Sequence, residues 1–302
     1  MSDLKLFQLS ADQAAEIKGE ASDLEKPLQT LIEQNLETLL AVRFLATEHS
    51  TGKEHAGRID TLGLDENMSP VILEYKRSLN ENVINQGLFY LDWLMGHQAD
   101  FTLLVQNRYG KETADAVDWT GPRLICIAGD FTKYDEHAVN QMGRNIALIR
   151  YRRFGPNLLL LELVNSTVTS THSQGKTGPA KSGLSDWSAD WSACWAKHPT
   201  MHELYLTIEA YILSLGDDVR VNQAKMYIAF KRIKNFAELS VTQQRILLHL
   251  HLDPEKYAVP PEQGRDVRNI GTYAPGLLQL FIRGREDIDR AKPLILRSYE
   301  GG

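Results

Sequence analysis

The chain has 302 residues, 43% of them hydrophobic and 24% charged. That is globular composition at about twice the usual single-domain length, so two domains are expected and a mainly disordered chain is excluded. No apolar run reaches 18 residues, the N-terminus is polar and acidic, and two cysteines (Cys126 and Cys194) are too few for a disulfide framework or an all-cysteine zinc site. A soluble, cytoplasmic chain with no membrane partner is expected. The net charge of −6 argues at first against a nucleic-acid partner. It is unevenly spread, however. Residues 1–165 carry 16 Lys+Arg against 24 Asp+Glu, a net of −8, and residues 166–302 carry 17 against 15, a net of +2.

In chain order, Leu24 to Leu40 has apolar residues at helical spacing and reads as one helix with a buried face. Val42–Leu45 suggests a short strand. Residues 56–65 and 71–76 read as two strands joined by the turn Glu66-Asn67-Met68-Ser69-Pro70, a β-hairpin. Asn80 to Met95 reads as a helix, 98–108 as a second amphipathic segment, and Arg123–Ala128 as a buried strand. Residues 132–142 look helical, and Ile146–Arg153 with Leu158–Val164 form a strand pair. The segment 166–186, rich in Ser, Thr, Gly and Pro, reads as a flexible linker between a domain at 1–165 and another at 187–302. Beyond it, Met201–Leu215 and Glu286–Arg297 read as helices, and Lys225–Phe230, Arg245–Leu252 and Leu277–Ile282 as strands, giving a smaller α+β module. No internal repeat is visible.

One group of residues carries chemistry. Glu74 and Lys76 are two apart on a strand and so share a face, which the hairpin can bring close to Asp60, although the sequence does not set the register. Two carboxylates beside a lysine suit phosphodiester hydrolysis. The carboxylates can hold Mg²⁺, or Mn²⁺ in its place, and the lysine can position water or stabilise charge on the phosphate.

Asp60, a gap of about fourteen residues, then Glu74-Tyr75-Lys76 resembles the PD-(D/E)xK nuclease signature. The flanking text, Gly57-Arg58-Ile59-Asp60-Thr61-Leu62 and Ile72-Leu73-Glu74-Tyr75-Lys76-Arg77, is most similar to NucS-like endonucleases. Gln86-Gly87-Leu88-Phe89-Tyr90 resembles the QxxxY motif of RecB-type members, and its two polar residues stand at i and i+4 of a helix. The resemblance implies a restriction-endonuclease-like α/β fold, a mixed central sheet flanked by helices. It implies metal at Asp60 and Glu74, a catalytic Lys76, a supporting Gln86 with Tyr90 nearby, and a homodimer. It further implies an added glutamate from the first helix, for which Glu25 and Glu33 both remain open. Ile59 stands where many members carry proline. The function implied is a metal-dependent nuclease acting on DNA, in repair or defence. Other readings are a catalytically silent nucleic-acid-binding protein, or a ligand- or protein-interaction module. Arg58 and Arg77 flank the site and are the foremost candidates for DNA contact, with Lys53, Arg108, Arg150, Arg152 and Arg153 behind them.

The second domain resembles a bacterial module of unknown function found in a group labelled predicted transport proteins, through residues such as 225–231, 234–239 and 297–300. Without a membrane segment, transport gains no support. Tyr227, Phe230, Lys231, Arg232, Lys234 and Phe236 interleave bases with aromatics and could make a nucleic-acid platform, although strand alternation sends some of these aromatics to a core. Arg265, Arg268 and Arg297 could form an anion pocket. His198 and His202 lack a zinc-protease pattern, His249 and His251 read as a satisfied or exposed pair, and Trp187, Trp191 and Trp195 read as a packing stripe.

Overall fold

The computed structural model describes residues 4–20, 25–52, 57–76, 83–167, 191–224, 226–270 and 274–301. The chain divides into two compact units, Met1–Thr169 and Ser170–Gly302. Of the stretch read as a linker, residues 168–186 lie outside the described residues. Its first residue, Ser166, still belongs to a strand, and Thr167 donates its N–H to the Ile146 carbonyl at 2.9 Å.

The first unit is α/β. A small hairpin of β1 (Leu6–Ser10) and β2 (Gln13–Ile17) precedes β3 (Gly19–Glu20), which joins the central sheet. That sheet is built from β4 (Val42–Ser50), β5 (Arg58–Asp65), β6 (Pro70–Lys76), β7 (Arg123–Ala128), β8 (Asn145–Phe154) and β9 (Leu158–Ser166). Its order is β3-β8-β7-β6-β5-β4, with β9 pairing β8. β4, β5 and β6 are antiparallel, whereas β6, β7 and β8 are parallel. The parallel strands need crossovers, and helices supply them. α3 (Val83–Gly96), α4 (Gln98–Tyr109) and α5 (Lys111–Asp115) lie between β6 and β7, and α6 (Lys133–Gln141) between β7 and β8. Before β4 come α1 (Glu25–Gln34) and α2 (Leu36–Leu40).

Helices cover the middle of this sheet, which is why β6 and β7 are apolar at nearly every position. α3 packs on β6 and β7 and shares a core with Leu62, Ile72, Leu124 and Cys126. Gly87 permits that approach, since a Cβ there would stand 2.4 Å from Leu124 Cδ1. α1 packs on β5 and β6, burying Leu28 and Ile32.

Two expectations need adjusting. The helix read over Leu24–Leu40 is two helices. Asn35 interrupts it, its amide donating to the Leu31 carbonyl at 2.9 Å, and Ala41 ends the second piece in the left-handed region at φ 52°. β4 runs to Ser50 rather than Leu45, its second half disguised by Thr47, Glu48, His49 and Ser50. Of the helix read from Asn80, residues 80–82 lie outside the described residues, and the described part runs from Val83.

The second unit is α+β. Six antiparallel strands, β10 (Arg220–Gln223), β11 (Ile228–Lys231), β12 (Asn235–Val241), β13 (Ile246–Leu250), β14 (Gly264–Asp266) and β15 (Leu278–Ile282), stand in the order β10-β11-β12-β13-β15-β14. α7 (Trp191–Lys197), α8 (Pro199–Leu213) and α9 (Arg285–Gly301) complete it. Ile208 and Ile212 of α8 and Ile288 and Ile295 of α9 share one core with Phe230, Leu239, Leu248 and Leu280 of the sheet. Among the described residues, no helix is long and apolar enough to cross a membrane.

Candidate active site

The β5–β6 ladder ends at the pair Thr61↔Leu73, so the next two residues, Asp60 and Glu74, stand opposite each other. Their carboxylates take over the backbone donors there. Tyr75 donates its N–H to Asp60 Oδ2 at 3.0 Å, and Asp60 donates its N–H to Glu74 Oε1 at 3.2 Å. On its other side Glu74 pairs with the buried Cys126 of β7. Lys76, two residues on, closes β6 at the carboxyl end of a parallel strand, where open α/β sheets place ligands.

Burial and mutual repulsion dominate the electrostatics. Glu74 is fully buried. Desolvation first, and the neighbouring Asp60 charge second, push its carboxyl up to about 9. Asp60 is also raised, again chiefly by burial, with the Tyr75 N–H and Lys76 opposing. Glu74 Oε2 accepts no hydrogen bond at all. A buried carboxylate oxygen without a donor is costly, and a bound cation would relieve both the orphan atom and the like-charge pair. Among the described residues no three His, Cys, Asp or Glu side chains cluster closely enough to hold a metal by themselves. Mg²⁺ does not require three, because it is held by one or two carboxylates and completes its shell with water and substrate phosphate oxygens. The residues present therefore fit Mg²⁺ or Mn²⁺, which Asp60 and Glu74 would hold.

Lys76 Nζ lies 3.7 Å from the Glu25 carboxylate, and its side chain is 19% exposed. The two helix glutamates left open by the sequence are now separable. Glu25 lines the cavity in front of Asp60. Glu33 is engaged elsewhere, its Oε1 accepting from Thr61 Oγ1 at 2.6 Å and from Gln29 Nε2 at 3.0 Å. Gln29, buried in α1, also donates to the Asp60 carbonyl at 2.8 Å and so clamps the strand that carries Asp60.

The cavity measures about 650 Å³, and Asp60, Glu25, Arg58, Gln86 and Tyr90 are among the residues lining it. Glu74 lies beneath this surface. Gln86 and Tyr90 project together from α3, as their spacing suggested. The Tyr90 hydroxyl accepts from the Arg58 N–H at 3.1 Å and from Gln86 Nε2 at 3.3 Å. Gly57 makes room for that ring, since a Cβ there would stand 2.5 Å from Tyr90 Cε1.

Sequence reasoning missed Glu48. The pairs Thr47↔Thr61 and His49↔Ile59 set it opposite Asp60, on the side away from Glu74. It sits at φ 50°, an uncommon conformation for a glutamate. Its carboxylate holds both Lys26 and Arg58 at 2.7 Å. The Lys26 hydrogen bond above all holds its carboxyl below the usual range, against the opposing effect of burial. The signal lay in the strand itself: had β4 been carried past Leu45, Glu48 would have faced the motif.

The basic candidates fare unequally. Arg58 borders the cavity and is well exposed. Arg77 and Lys53 lie outside the described residues. Arg150 is not available to a groove, because it is buried between Asp130 at 2.7 Å and Glu162 at 2.8 Å. Arg108 lies over the Phe44 ring, 4.8 Å from its centroid. Arg152 and Arg153 are half-buried on β8.

In the second unit the aromatic platform dissolves. Tyr227, Phe230 and Phe236 are all buried, and so is Lys231. The three arginines offered as an anion pocket are otherwise engaged: Arg265 with Gln279, Arg268 with Asp253, Glu255 and Asp266, and Arg297 with Glu300. His202 stacks on Trp195, which also stacks on Tyr205 at 4.8 Å, so this tryptophan packs a core. Trp187 lies outside the described residues. His249 is buried, and His251 pairs with Glu238 at 2.7 Å.

Comparison with known proteins gives the following. Residues 192–301 match the family described as a domain of unknown function, DUF5655. The chain is 27% identical over 304 residues to an uncharacterized protein of Haemophilus influenzae, covering 98% of this chain and all of that one. Among solved structures it is similar to a repair endonuclease from Pyrococcus abyssi, at 19% identity and a TM-score of 0.29, over 43% of this chain and 49% of that one. It is also similar to EndoMS in a complex with double-stranded DNA, at 21% identity and a TM-score of 0.25, over 43% and 47%. The chain thus spans about half the length of the solved structures it matches.

Proposed function

We propose that the first unit is a metal-dependent nuclease that hydrolyses phosphodiester bonds in DNA. The observation that carries this reading is the buried pair Asp60–Glu74, two facing carboxylates of which one oxygen has no donor, with Lys76 beside them. The choice of DNA rests on the motif resemblance around Asp60 and Glu74. Asp60 and Glu74 would hold Mg²⁺ or Mn²⁺. The metal, when bound, supplies Lewis-acid polarisation of the phosphoryl oxygen and a more acidic water. Lys76 is the cation on the substrate side. Its ammonium donates to the attacking water and offsets charge on the phosphate as it develops. Gln86 and Tyr90 act on position: the tyrosine hydroxyl fixes the backbone at Arg58, two residues before Asp60, and Gln86 fixes the hydroxyl. Arg58 serves as a phosphate contact at the rim.

The test is cleavage of plasmid, branched and single-stranded DNA by the full chain with Mg²⁺ or Mn²⁺, run beside Glu74→Gln and Lys76→Met. Cleavage by the parent that is lost in both variants and in EDTA is the expected result. DNA binding without metal-dependent cleavage would leave only a silent, binding version of the fold. Activity surviving both substitutions would remove these residues from the reaction.

A further inference from the structure

A second groove adjoins the cavity. It measures about 600 Å³ and is lined by Lys26, Pro27, Thr30, Leu31 and Gln34 of α1 and by Arg153 of β8. Its size falls within the ~300–1,000 Å³ span of ligand-binding clefts. Lys26 lines both depressions, so the groove continues the cavity in front of Asp60. The register Lys76↔Ala128↔Arg150 puts Arg153 toward the same end of the sheet as the carboxylate pair.

Resting on the nuclease reading above, we propose that this groove is the subsite for the DNA strand flanking the reactive phosphate. Charge is the first argument. The unit is strongly acidic, yet no carboxylate lines the groove, and two cations do: Arg153, and Lys26, whose ammonium Glu48 holds at 2.7 Å from the neighbouring cavity while the side chain stays 60% exposed. Arg153's cross-strand neighbour, Glu20, is not among the lining residues. The mixture of surfaces is the second argument. Pro27 and Leu31 give apolar wall against which a sugar or base can lie, the Gln34 amide can donate or accept, and Lys26 and Arg153 suit phosphates. Thr30 serves as wall rather than donor, since its hydroxyl already donates to the Lys26 carbonyl at 2.9 Å. Backbone contacts of this kind fix a strand's register without reading its sequence. The subsite is therefore one for position and affinity, independent of base identity.

The experiment uses the full chain and a 5′-labelled DNA oligonucleotide. Binding is measured by fluorescence anisotropy in EDTA across a salt series, and cleavage kinetics are measured separately with Mg²⁺. Arg153→Gln and Gln34→Glu are compared with Arg144→Gln. Arg144 is an exposed arginine just before β8, at the opposite end of the sheet. For the two groove variants the expected result is Kd weaker by about 5- to 10-fold. The salt slope should be shallower by about 1 for Arg153→Gln, the loss of one phosphate contact. KM should rise in step with kcat unchanged, and Arg144→Gln should match the parent. Groove variants with parental Kd and KM, in a protein that cuts DNA through Glu74, would overturn the subsite and leave the nuclease reading standing. A parent that neither binds nor cuts DNA would overturn both.

Discussion

Each unit carries a row of polar side chains across neighbouring strands of its sheet, and the two rows are completed differently. In the second unit the row is Glu238, His249, Gln279 and Arg265, paired across β12, β13, β15 and β14. Arg265 Nε–H donates to Gln279 Oε1 at 2.7 Å, which turns the amide NH₂ toward His249 Nε2 at 2.6 Å. Both oxygens of Glu238 are occupied, one by His251 Nε2 at 2.7 Å and the other by the Gly276 N–H at 3.2 Å. In the first unit the row is Asp60 and Glu74, two acids with an open oxygen. Buried polar groups normally find partners. The second row pairs its acid with the chain's own donors and leaves open His249 Nδ1, a ring nitrogen rather than an acid oxygen. A row left acid against acid keeps Glu74 protonated near neutral pH, and a bound cation would let both carboxyls ionise.

The sharpest way to break this comparison is to make the same substitution in both rows. Glu74→Gln is expected to lower DNA cleavage by about 10³-fold, the scale of removing one preorganised electrostatic group. It should also raise the stability of the metal-free chain by ~1–2 kcal/mol, because a desolvated acid beside Asp60 is replaced by a neutral amide. Cleavage rates and thermal melts in EDTA read both, and a variant that loses activity and stability together would make Glu74 a structural residue.

The next largest effect is on pH. Burial, chiefly, drops His249 to about 4, with Arg265 and His251 adding to the drop and Glu238 opposing it. Unfolding restores an ordinary imidazole near 6.5, so between those values the unfolded chain binds the extra proton. This contribution to stability is whole above about pH 6.5, falls as the pH drops, and is gone by about pH 4, a loss of ~3 kcal/mol at most. Urea titrations at pH 7.5 and 4.5 should show it in the second unit's transition, and His249→Gln should abolish that component.

Glu238→Gln, the counterpart of Glu74→Gln, is expected to cost ~2 kcal/mol, because its amide would turn a donor toward the His251 or Gly276 donor. Equal responses to the two Glu→Gln changes would end the distinction between the rows. The smallest effect belongs to Tyr90→Phe, about 1 kcal/mol from the hydrogen bonds at its hydroxyl, together with a several-fold slower cleavage rate. An unchanged rate would make Tyr90 a packing residue only.

Much of this was readable from residue order. Strand parity put Glu74 and Lys76 on one face, and helical spacing put Gln86 and Tyr90 on another element facing the same way. The buried strand β7 announced itself because sheet faces covered by helices leave apolar runs such as Arg123–Ala128, while its parallel pairing with β6 and β8 did not. What was hidden was hidden for local reasons. β12 carries Asn235, Glu238 and Ser240 among its apolar residues, so it lacks a clear run, and β10 and β14 are only four and three residues long. Glu48 was lost with the polar half of β4, and α1 and α2 merged because one asparagine does not interrupt an apolar stripe. Arg150 looked like a groove cation because its two partners, Asp130 and Glu162, are 20 and 12 residues away.

The close approach of Tyr90 to Gly57 ties two positions 33 residues apart into one heritable unit. The ring occupies the volume in which any side chain at 57 would begin. Position 57 cannot drift alone: a larger residue there demands a smaller one at 90, and with it the loss of the hydroxyl that braces Arg58. Relatives that carry a larger residue at 57 should therefore carry a smaller one at 90, a covariation that a collection of relatives can reveal without any assay.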